Sequence, residues 1–201
     1  MNAGPTAERA YDVLKRRVLS GEFRPGERLE PGSLGEPLGI SATPVRDALY
    51  VLAGEGLIET RTSEGFYMPQ ESERGLRDLY GWNAEVLLIA ISNWSRDPAD
   101  APASAWPPVS AGELEAAQLF DWVAERSANR EHRRAIASNS DRLRAARRAE
   151  SRVIEGAAFE LRGLVEAMTT GDRARLRLLL NAYHRRRVRH VADIVDAIRR
   201  Q

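Results

Sequence analysis

Residues 38–49 read LGISATPVRDAL, and this stretch decides the fold of the first third of the chain. A Gly-Ile-Ser turn lies near its start, and Ser41 stands where a side-chain oxygen can cap the helix that follows. Apolar residues recur at helical spacing from Val45 to Leu52, which predicts a helix from Ser41 to about Ala53. Because a shorter helix is predicted before the turn, the two together are typical of a helix-turn-helix.

The segments on either side complete a small α+β unit over residues 1–70. Apolar spacing predicts a first helix over residues 7–20 and a short second helix around Leu34. Residues 57–61 and 66–69 are predicted to be two strands of a hairpin. This order of elements is that of a winged helix-turn-helix, although element order alone also fits a small module that binds no nucleic acid.

The residues of this unit resemble the DNA-binding domain of GntR-type bacterial transcription regulators. Residues 38–49 resemble the recognition-helix signature of that family, FRPGERL at 23–29 its first linker, and LAGEGLI at 52–58 the approach to its wing. The resemblance implies that the third helix enters the major groove of duplex DNA and that the hairpin lies beside it. The residues then expected at the DNA are Ser33, Ser41, Thr43, Arg46, Arg61 and Gly65.

These residue types suit DNA in different degrees. The planar fork of Arg46 matches guanine O6 and N7 or a phosphate, and a good bidentate base contact discriminates by about 1–3 kcal/mol. Thr43 can bond a phosphate, but simple capping or solvation explains it equally well. Gly65 lets the wing backbone approach DNA closely, although turn chemistry alone also favours glycine there.

The charge of this unit is unusual for a DNA-binding domain. Residues 1–70 hold 8 Lys+Arg against 10 Asp+Glu, a net charge of −2, whereas nucleic-acid domains are usually basic. Ala42, Ser33 and Glu64 stand where the family commonly has an Arg, a charged residue and a basic wing residue. The remaining candidates for phosphate contacts, or plain solvated charges, are Lys15, Arg16, Arg17 and Arg61. We expect weaker or more sequence-dependent DNA binding; the alternative is a protein-interaction module that keeps the winged fold with weak or lost DNA binding.

From Ser72 onwards the apolar periodicity is helical, which predicts an antiparallel helical bundle over residues 72–201 and a mainly α fold class. One helix is predicted from Leu76 to Trp94, followed by a proline-containing loop over Ser95–Ala111. Four further helices are predicted over residues 112–127, 130–149, 151–169 and 172–199.

This bundle resembles, more weakly, the effector-binding domain of the FadR branch of the family, partly through EAMTTGD at 166–172. Members often hold a divalent metal with an Asp, a His four residues later and two further His. Here Asp121 is followed by Glu125, and Leu161 stands near the next His position. We therefore expect no bound metal, no cofactor and an altered pocket. The residues expected at a small-molecule effector are Asn83, Asp121, Glu125, Tyr183 and His184.

Other bundle residues have a plain and a functional interpretation. A lone histidine such as His184 is usually a satisfied or surface residue rather than a ligand. The arginine run at 185–189 is expected to be a solvated face, with an anionic ligand or the partner subunit as the alternatives. The tryptophans are expected to pack in the core, with an effector lining as the alternative; they are Trp82, Trp94, Trp106 and Trp122.

Composition excludes several classes of protein. The 201 residues include no cysteine, so disulfides and thiolate chemistry are excluded. The longest apolar run, residues 86–91, is too short to span a bilayer, so we expect no membrane partner and a cytoplasmic location. Phosphate loops and nucleophile motifs are absent, so we expect no enzyme. The partners expected are an approximately palindromic operator in double-stranded DNA, a small-molecule effector and a second copy in a homodimer.

Overall fold

The computed structural model describes residues 5–61, 65–94 and 116–200; the predicted loop at 95–111 lies outside them. The chain divides into two compact units, Met1–Glu71 and Ser72–Arg200. None of the helices in the described ranges is long and apolar enough to cross a bilayer.

The first unit is a winged helix-turn-helix, as the sequence predicts. Three helices form its body, and a three-stranded antiparallel sheet with strand order β1-β3-β2 forms the wing. Its elements are α1 (Pro5–Ser20), β1 (Arg28–Leu29), α2 (Pro31–Gly35), a 3-10 turn (Glu36–Leu38), α3 (Ala42–Gly54), β2 (Glu59–Arg61) and β3 (Gly65–Tyr67).

One apolar core holds this unit together. Leu14 of α1 is buried in one cluster with Leu49 and Leu52 of α3. Leu29 of β1 and Phe66 of β3 belong to the same cluster, so the core extends to the sheet. Burying each of these side chains stabilises the fold by about 1.5–3 kcal/mol. The periodic spacing of apolar residues thus fixes which face of α3 points inwards and leaves its other face outside.

The tight turn before α3 depends on two glycines. Gly39 has a φ of +64°, a left-handed conformation that glycine adopts without steric cost. A Cβ at Gly35 would collide with the carbonyl oxygen of Ile40, so α2 approaches the turn more closely than any other residue would allow. The predicted cap at Ser41 is wrong in one respect: Ser41 occupies the N-cap position, but its side chain makes no capping hydrogen bond.

The second unit is an all-helical bundle, as the sequence predicts. In it α4 packs against α5, α6, α9 and α10, α8 packs against α9, and α7 packs against α10. Its helices are α4 (Glu73–Ser92), α5 (Ala116–Glu125), α6 (Arg130–Arg142), α7 (Arg144–Val153), α8 (Ala157–Thr169), α9 (Arg173–Arg189) and α10 (Val191–Arg199).

The predicted helix boundaries are wrong at three places in this unit. The helix predicted over 130–149 breaks at Leu143, which is fully buried, and Gly156 with a φ of +71° separates α7 from α8. The helix predicted over 172–199 breaks at His190. There α10 turns to pack mainly on α7, whereas α9 packs mainly on α4 and α8. An apolar stripe that continues through the bend cannot reveal that its two halves face different partners.

The tryptophans divide between core and surface. Trp94 is buried and its indole nitrogen donates to Val123 O at 2.8 Å, and Trp122 packs against the same core. Trp82 is 48% exposed on α4, so the prediction of core packing is wrong there. Trp106 lies outside the described residues.

Candidate nucleic-acid interface and bundle interior

The outward face of α3 carries the residues predicted to contact DNA. Val45, Ala48 and Leu49 are buried, so Thr43 and Arg46 point away from the core on the opposite face. Arg46 forms no ion pair or hydrogen bond within the described residues. Its guanidinium can therefore bind an external acceptor without first breaking a contact of its own.

The other predicted DNA contacts also lie at the surface. Ser33 on α2, Ser41 before α3, and Arg61 and Gly65 on the wing strands are all exposed. Exposure is necessary for such a contact but does not demonstrate one, so all six residues stay predictions. Glu64, the acidic residue predicted at the wing, lies outside the described residues.

An outward strip on the wing sheet holds Arg28, which sequence reasoning missed, beside Arg61, which it predicted. Arg28 and Glu59 lie opposite Tyr67, and Arg61 lies opposite Gly65. All five share the face of the sheet that points away from the core. The Arg61 guanidinium lies 4.3 Å from the centroid of the Tyr67 ring. Arg28 contacts exposed Glu30 at 3.4 Å, an ion pair of little energy in solvent. Alternation predicts an outward residue before buried Leu29, but the β1–β3 pairing is not visible in the sequence.

Tyr50 on α3 is a second residue that sequence reasoning missed. It is 58% exposed, and its ring meets Phe66 of β3 edge-on at 4.9 Å between centroids. It lies four residues after Arg46 and therefore on the same side of the helix. This aromatic contact packs α3 against β3 of the wing sheet.

Some of the basic side chains in this unit form ion pairs with carboxylates of the same unit. Lys15 lies 2.9 Å from Glu55, and Arg17 lies 2.6 Å from Glu22. The hydrogen bond from Arg17 lowers the pKa of Glu22. Lys15 and Arg17 are thus committed within the unit, which makes them poorer phosphate contacts than the sequence suggested.

Within the bundle, the structure brings together two of the five residues predicted at an effector. Asn83 of α4 and His184 of α9 are buried, with His184 Nε2 2.9 Å from Asn83 Oδ1. His184 Nδ1 lies 2.8 Å from the carbonyl oxygen of Leu180. A neutral imidazole donates from one nitrogen only, so Nδ1–H donates to Leu180 O, and Nε2 accepts from the side-chain amide of Asn83, whose oxygen and nitrogen positions are interchangeable. His184 is thus a satisfied core residue. Within the described residues, no group of three or more His, Asp or Glu side chains is arranged to hold a metal ion.

Burial keeps His184 neutral. Desolvation lowers the pKa of His184 to about 3, with Arg147 and Arg187 adding to the shift and the bond to Leu180 opposing it. The folded state therefore takes up this proton only well below the ordinary imidazole pKa of about 6.5. The stability that comes from the neutral ring is complete above that value and is lost as the pH falls from about 6.5 towards 3.

We expect replacement of His184 by glutamine to flatten this acid dependence. Urea unfolding at pH 7 and pH 5 measures it: the loss of unfolding free energy between the two should be smaller in His184→Gln than in the wild type. His190→Gln, at a half-exposed position, is the matched control and should keep the wild-type dependence. An unchanged dependence in His184→Gln would show that other groups control it.

Tyr183 belongs to a buried ion-pair network that the sequence did not predict. Arg187 is 1% exposed and its Nε lies 3.0 Å from Glu150 Oε2, and its Nη1 lies 2.5 Å from Glu160 Oε2. Tyr80 donates to Glu150 at 2.6 Å, and burial together with this carboxylate raises the pKa of Tyr80. Tyr183 contacts the same carboxylate at 3.4 Å, under the Arg187 guanidinium. The prediction that the arginine run forms a solvated face is therefore wrong for Arg187.

The remaining predicted effector residues, Asp121 and Glu125, lie on α5 and have different surroundings. Asp121 is half-buried, and desolvation raises its pKa against the opposing charges of Arg133 and Arg147. Glu125 pairs with Arg133 at 2.9 Å. Sequence reasoning did not predict that Arg147 of α7 lies near Asp121. It is one of four arginines at positions 142–148, and the pattern does not show which of them faces the neighbouring helices.

Comparison with known proteins shows which family the first unit matches. Residues 6–68 match the family model described as bacterial regulatory proteins, gntR family. This unit is a GntR-family helix-turn-helix domain. The match covers the elements from α1 to the wing, which include the outward face of α3 and the sheet strip.

Curated relatives match the GntR domain and a few residues beyond it. The HTH-type regulator YdhC of Bacillus subtilis is 30% identical over 81 residues, 40% of this chain and 36% of the relative. The HTH-type regulator McbR of Escherichia coli is 33% identical over 79 residues, 39% of this chain and 36% of the relative. The chain thus matches little more than one third of the length of these relatives. Both are described as transcriptional regulators.

Solved structures match the fold beyond the GntR domain. A Rhodococcus sp. RHA1 protein described as a GntR transcriptional regulator has a TM-score of 0.74 at 15% identity, covering 93% of this chain and 97% of its own. Escherichia coli McbR/YncC has a TM-score of 0.66 at 19% identity, covering 94% and 97%. The fold of a GntR domain followed by a helical unit is therefore shared with these two solved structures.

Proposed function

We propose that the chain is a DNA-binding transcription regulator, acting as a repressor in the cytoplasm, whose operator binding is modulated by a small molecule in the helical unit. The observation that carries this proposal is the outward face of α3, where Thr43 and unpaired Arg46 stand exposed on a helix of a GntR domain. Repression follows if a bound dimer covers promoter DNA.

Some residues of the GntR domain would contact bases and others would contact phosphates. With α3 in the major groove, Arg46 donates to guanine and Thr43 donates to a phosphate. Arg61 and Arg28 on the sheet strip bind the backbone beside the groove, where a cation needs no particular base. Ser33 and Ser41 are short hydroxyl donors at the start of the same surface, and the Gly65 backbone approaches the sugar-phosphate edge.

Salt dependence tests DNA binding itself. The full chain should bind a duplex from its own promoter region with an affinity that falls linearly on a logarithmic plot against salt concentration. Fluorescence anisotropy with a shuffled duplex of equal length gives the specificity ratio. Absence of any salt-dependent binding would favour the protein-interaction module instead.

The effector would bind among the polar groups in the bundle interior. Asn83 and His184 are in contact, Tyr183 is adjacent to His184, and Asp121 and Glu125 lie one helical turn apart on α5. A ligand that favours one arrangement of these helices would change operator affinity by the free energy that couples the two sites, typically about 1–3 kcal/mol.

A second copy would cover an apolar patch formed by Trp82 and Ile89 of α4 and Leu178 of α9. All three are at least 48% exposed. Arg177 contacts Leu88 O, so Leu178 lies beside the turn of α4 that carries Ile89. Glu85 and Arg185 are exposed on the same two helices, and opposite charges on one patch suit two-fold pairing with itself.

Ile89→Glu should weaken this dimer. A buried unpaired carboxylate at the interface would oppose association, so sedimentation velocity should show a shift towards the monomer, and operator affinity should fall with it. Phe159→Glu on α8 is the control, because Phe159 is exposed away from the patch. A dimer unchanged by Ile89→Glu would place the interface elsewhere.

A further inference from the structure

Tyr50 and Val51 are exposed apolar side chains on the helix expected in the major groove. Six large apolar side chains stand exposed in the described residues, and the other four lie in the helical unit. Tyr50 is 58% exposed and Val51 is 52% exposed. A single exposed apolar residue needs no explanation, but an adjacent pair on one helix of a DNA-binding domain favours contact with an external molecule.

Tyr50 shares the outward face of α3 with Thr43 and Arg46. At about 100° per residue, the three side chains fall within about 60° of the helix circumference. At about 1.5 Å per residue, Tyr50 lies about 6 Å further along the axis than Arg46. A duplex that contacts Arg46 therefore also passes Tyr50, nearer the C-terminal end of the helix.

The wing sheet holds the Tyr50 ring in place. The ring meets Phe66 of β3 edge-on, with 4.9 Å between the centroids and 73° between the ring planes. Phe66 is itself 4% exposed, so it offers a fixed surface. A tyrosine has only two side-chain torsions, and this contact restricts both, which sets the position of the hydroxyl. Within the described residues that hydroxyl forms no hydrogen bond, so it can donate to an external acceptor where α3 meets the wing sheet.

Tyr50 is also the last side-chain donor on the outer side of α3, a helix that the structure describes over its full length. After Arg46, the exposed residues of α3 are Asp47, Tyr50, Val51 and Gly54. The ionised carboxylate of Asp47 only accepts hydrogen bonds and repels a phosphate. Val51 and Gly54 have no polar side-chain atom. If this half of the helix binds the sugar-phosphate chain through a side chain, the Tyr50 hydroxyl is the group that does so.

We propose that the Tyr50 hydroxyl donates to a backbone phosphate of duplex DNA at the edge of the major groove, as an uncharged donor beside Arg46. This inference rests on the proposed function, because it adds a contact to the same DNA-binding surface. Recognition helices reach base edges with their N-terminal residues, and a wing lies beside the backbone. Tyr50 lies beyond that N-terminal part and against the wing sheet, which favours a phosphate over a base.

An uncharged phosphate donor differs from an arginine in its salt dependence. Counterions are released when cationic side chains neutralise phosphates, so loss of a phenol hydroxyl should leave the logarithmic salt slope unchanged. A phosphate contact carries no sequence information, so operator and shuffled duplex should lose affinity by similar factors. A variant that loses an arginine–phosphate contact should instead reduce the slope.

Tyr50→Phe tests the hydroxyl alone, because phenylalanine keeps the ring that packs against Phe66. Anisotropy titrations of the full chain should show affinity lower by about tenfold for each protomer that contacts the duplex. The salt slope and the melting temperature should equal those of the wild type. Tyr11→Phe is the matched control: its hydroxyl donates to Glu55 at 2.6 Å within the first unit, so the variant should keep wild-type affinity for both duplexes.

Methylphosphonates placed singly along the operator locate the acceptor. Each removes the charge of one phosphate, and at the position bound by Tyr50 the loss of affinity should be smaller in Tyr50→Phe than in the wild type, as in a double-mutant cycle. The proposal is overturned if Tyr50→Phe binds as tightly as the wild type, if its salt slope falls, or if no phosphate position couples to it. A loss confined to the operator also overturns it, since the hydroxyl then contacts a base.

The same titrations separate this inference from the proposed function. Salt-dependent, operator-selective binding by the wild type, together with unchanged binding by Tyr50→Phe, overturns the Tyr50 contact and leaves the DNA-binding regulator intact. Absence of salt-dependent binding by the wild type contradicts the proposed function itself, and the Tyr50 contact with it.

Discussion

Arg46→Ala is expected to remove most of the sequence-specific affinity of the chain for its operator. A bidentate contact to guanine discriminates by about 1–3 kcal/mol, and a dimer on two half-sites loses it twice, or about 2–6 kcal/mol in all. Because Arg46 is exposed and unpaired within the described residues, its replacement should leave the melting temperature unchanged. Anisotropy titrations on the operator and on a shuffled duplex measure the loss.

Arg28→Ala provides the contrast to Arg46→Ala. A phosphate contact from the sheet strip carries no sequence information, so this variant should weaken binding to operator and shuffled duplex by similar factors. Its logarithmic salt slope should fall by about 1 for each phosphate that the variant no longer binds. Operator binding by Arg46→Ala as tight as that of the wild type would show that the base-reading residue has been misassigned.

Arg187→Met should destabilise the helical unit by about 3–5 kcal/mol, the usual cost of breaking a buried ion pair by removing one partner. Glu150 is 4% exposed and would remain in the interior without its cation, while Glu160 would be left without the guanidinium that lies 2.5 Å from it. Methionine is unbranched and adaptable, so most of the destabilisation should come from charge rather than packing. Denaturant unfolding gives the change in free energy.

Arg175→Met is the matched control, since it makes the same substitution on the same helix in an exposed ion pair. Arg175 lies 2.9 Å from Glu166, with both side chains about half exposed. Such a pair contributes about 0–1 kcal/mol. Equal destabilisation in the two variants would mean that the buried network contributes no more than a surface pair.

The parts of the fold predictable from sequence are those determined by local patterns. Apolar spacing around Leu49 and the glycine turn before α3 are local signals, and both lead directly to the helix-turn-helix. The breaks at Leu143 and His190 are not local, because each depends on which distant helix the following residues pack against. The network of Tyr80, Glu150 and Arg187 joins residues far apart in the chain, so its pairing becomes visible only in the folded protein.

The candidate site residues also separate into those that local sequence patterns reveal and those that depend on contacts between distant segments. Family-like spacing identified Arg46 and Gly65, whose surface positions follow from the amphipathic pattern and the hairpin. Arg28 escaped notice because its place beside the wing depends on the pairing of β1 with β3. Arg147 escaped notice because an arginine-rich helix does not reveal which of its side chains is half-buried between helices.

Selection of bound duplexes from a random pool by the full-length protein tests the central claim most directly. If α3 reads bases and the protein acts as a homodimer, the enriched sequences should form an inverted repeat whose half-site centres are about one helical turn apart, or a multiple of it. The same selection with Arg46→Ala should lose one preferred base pair at symmetric positions in both half-sites. A pool that shows no enrichment over the starting sequences would contradict the assignment of this GntR domain as a reader of DNA.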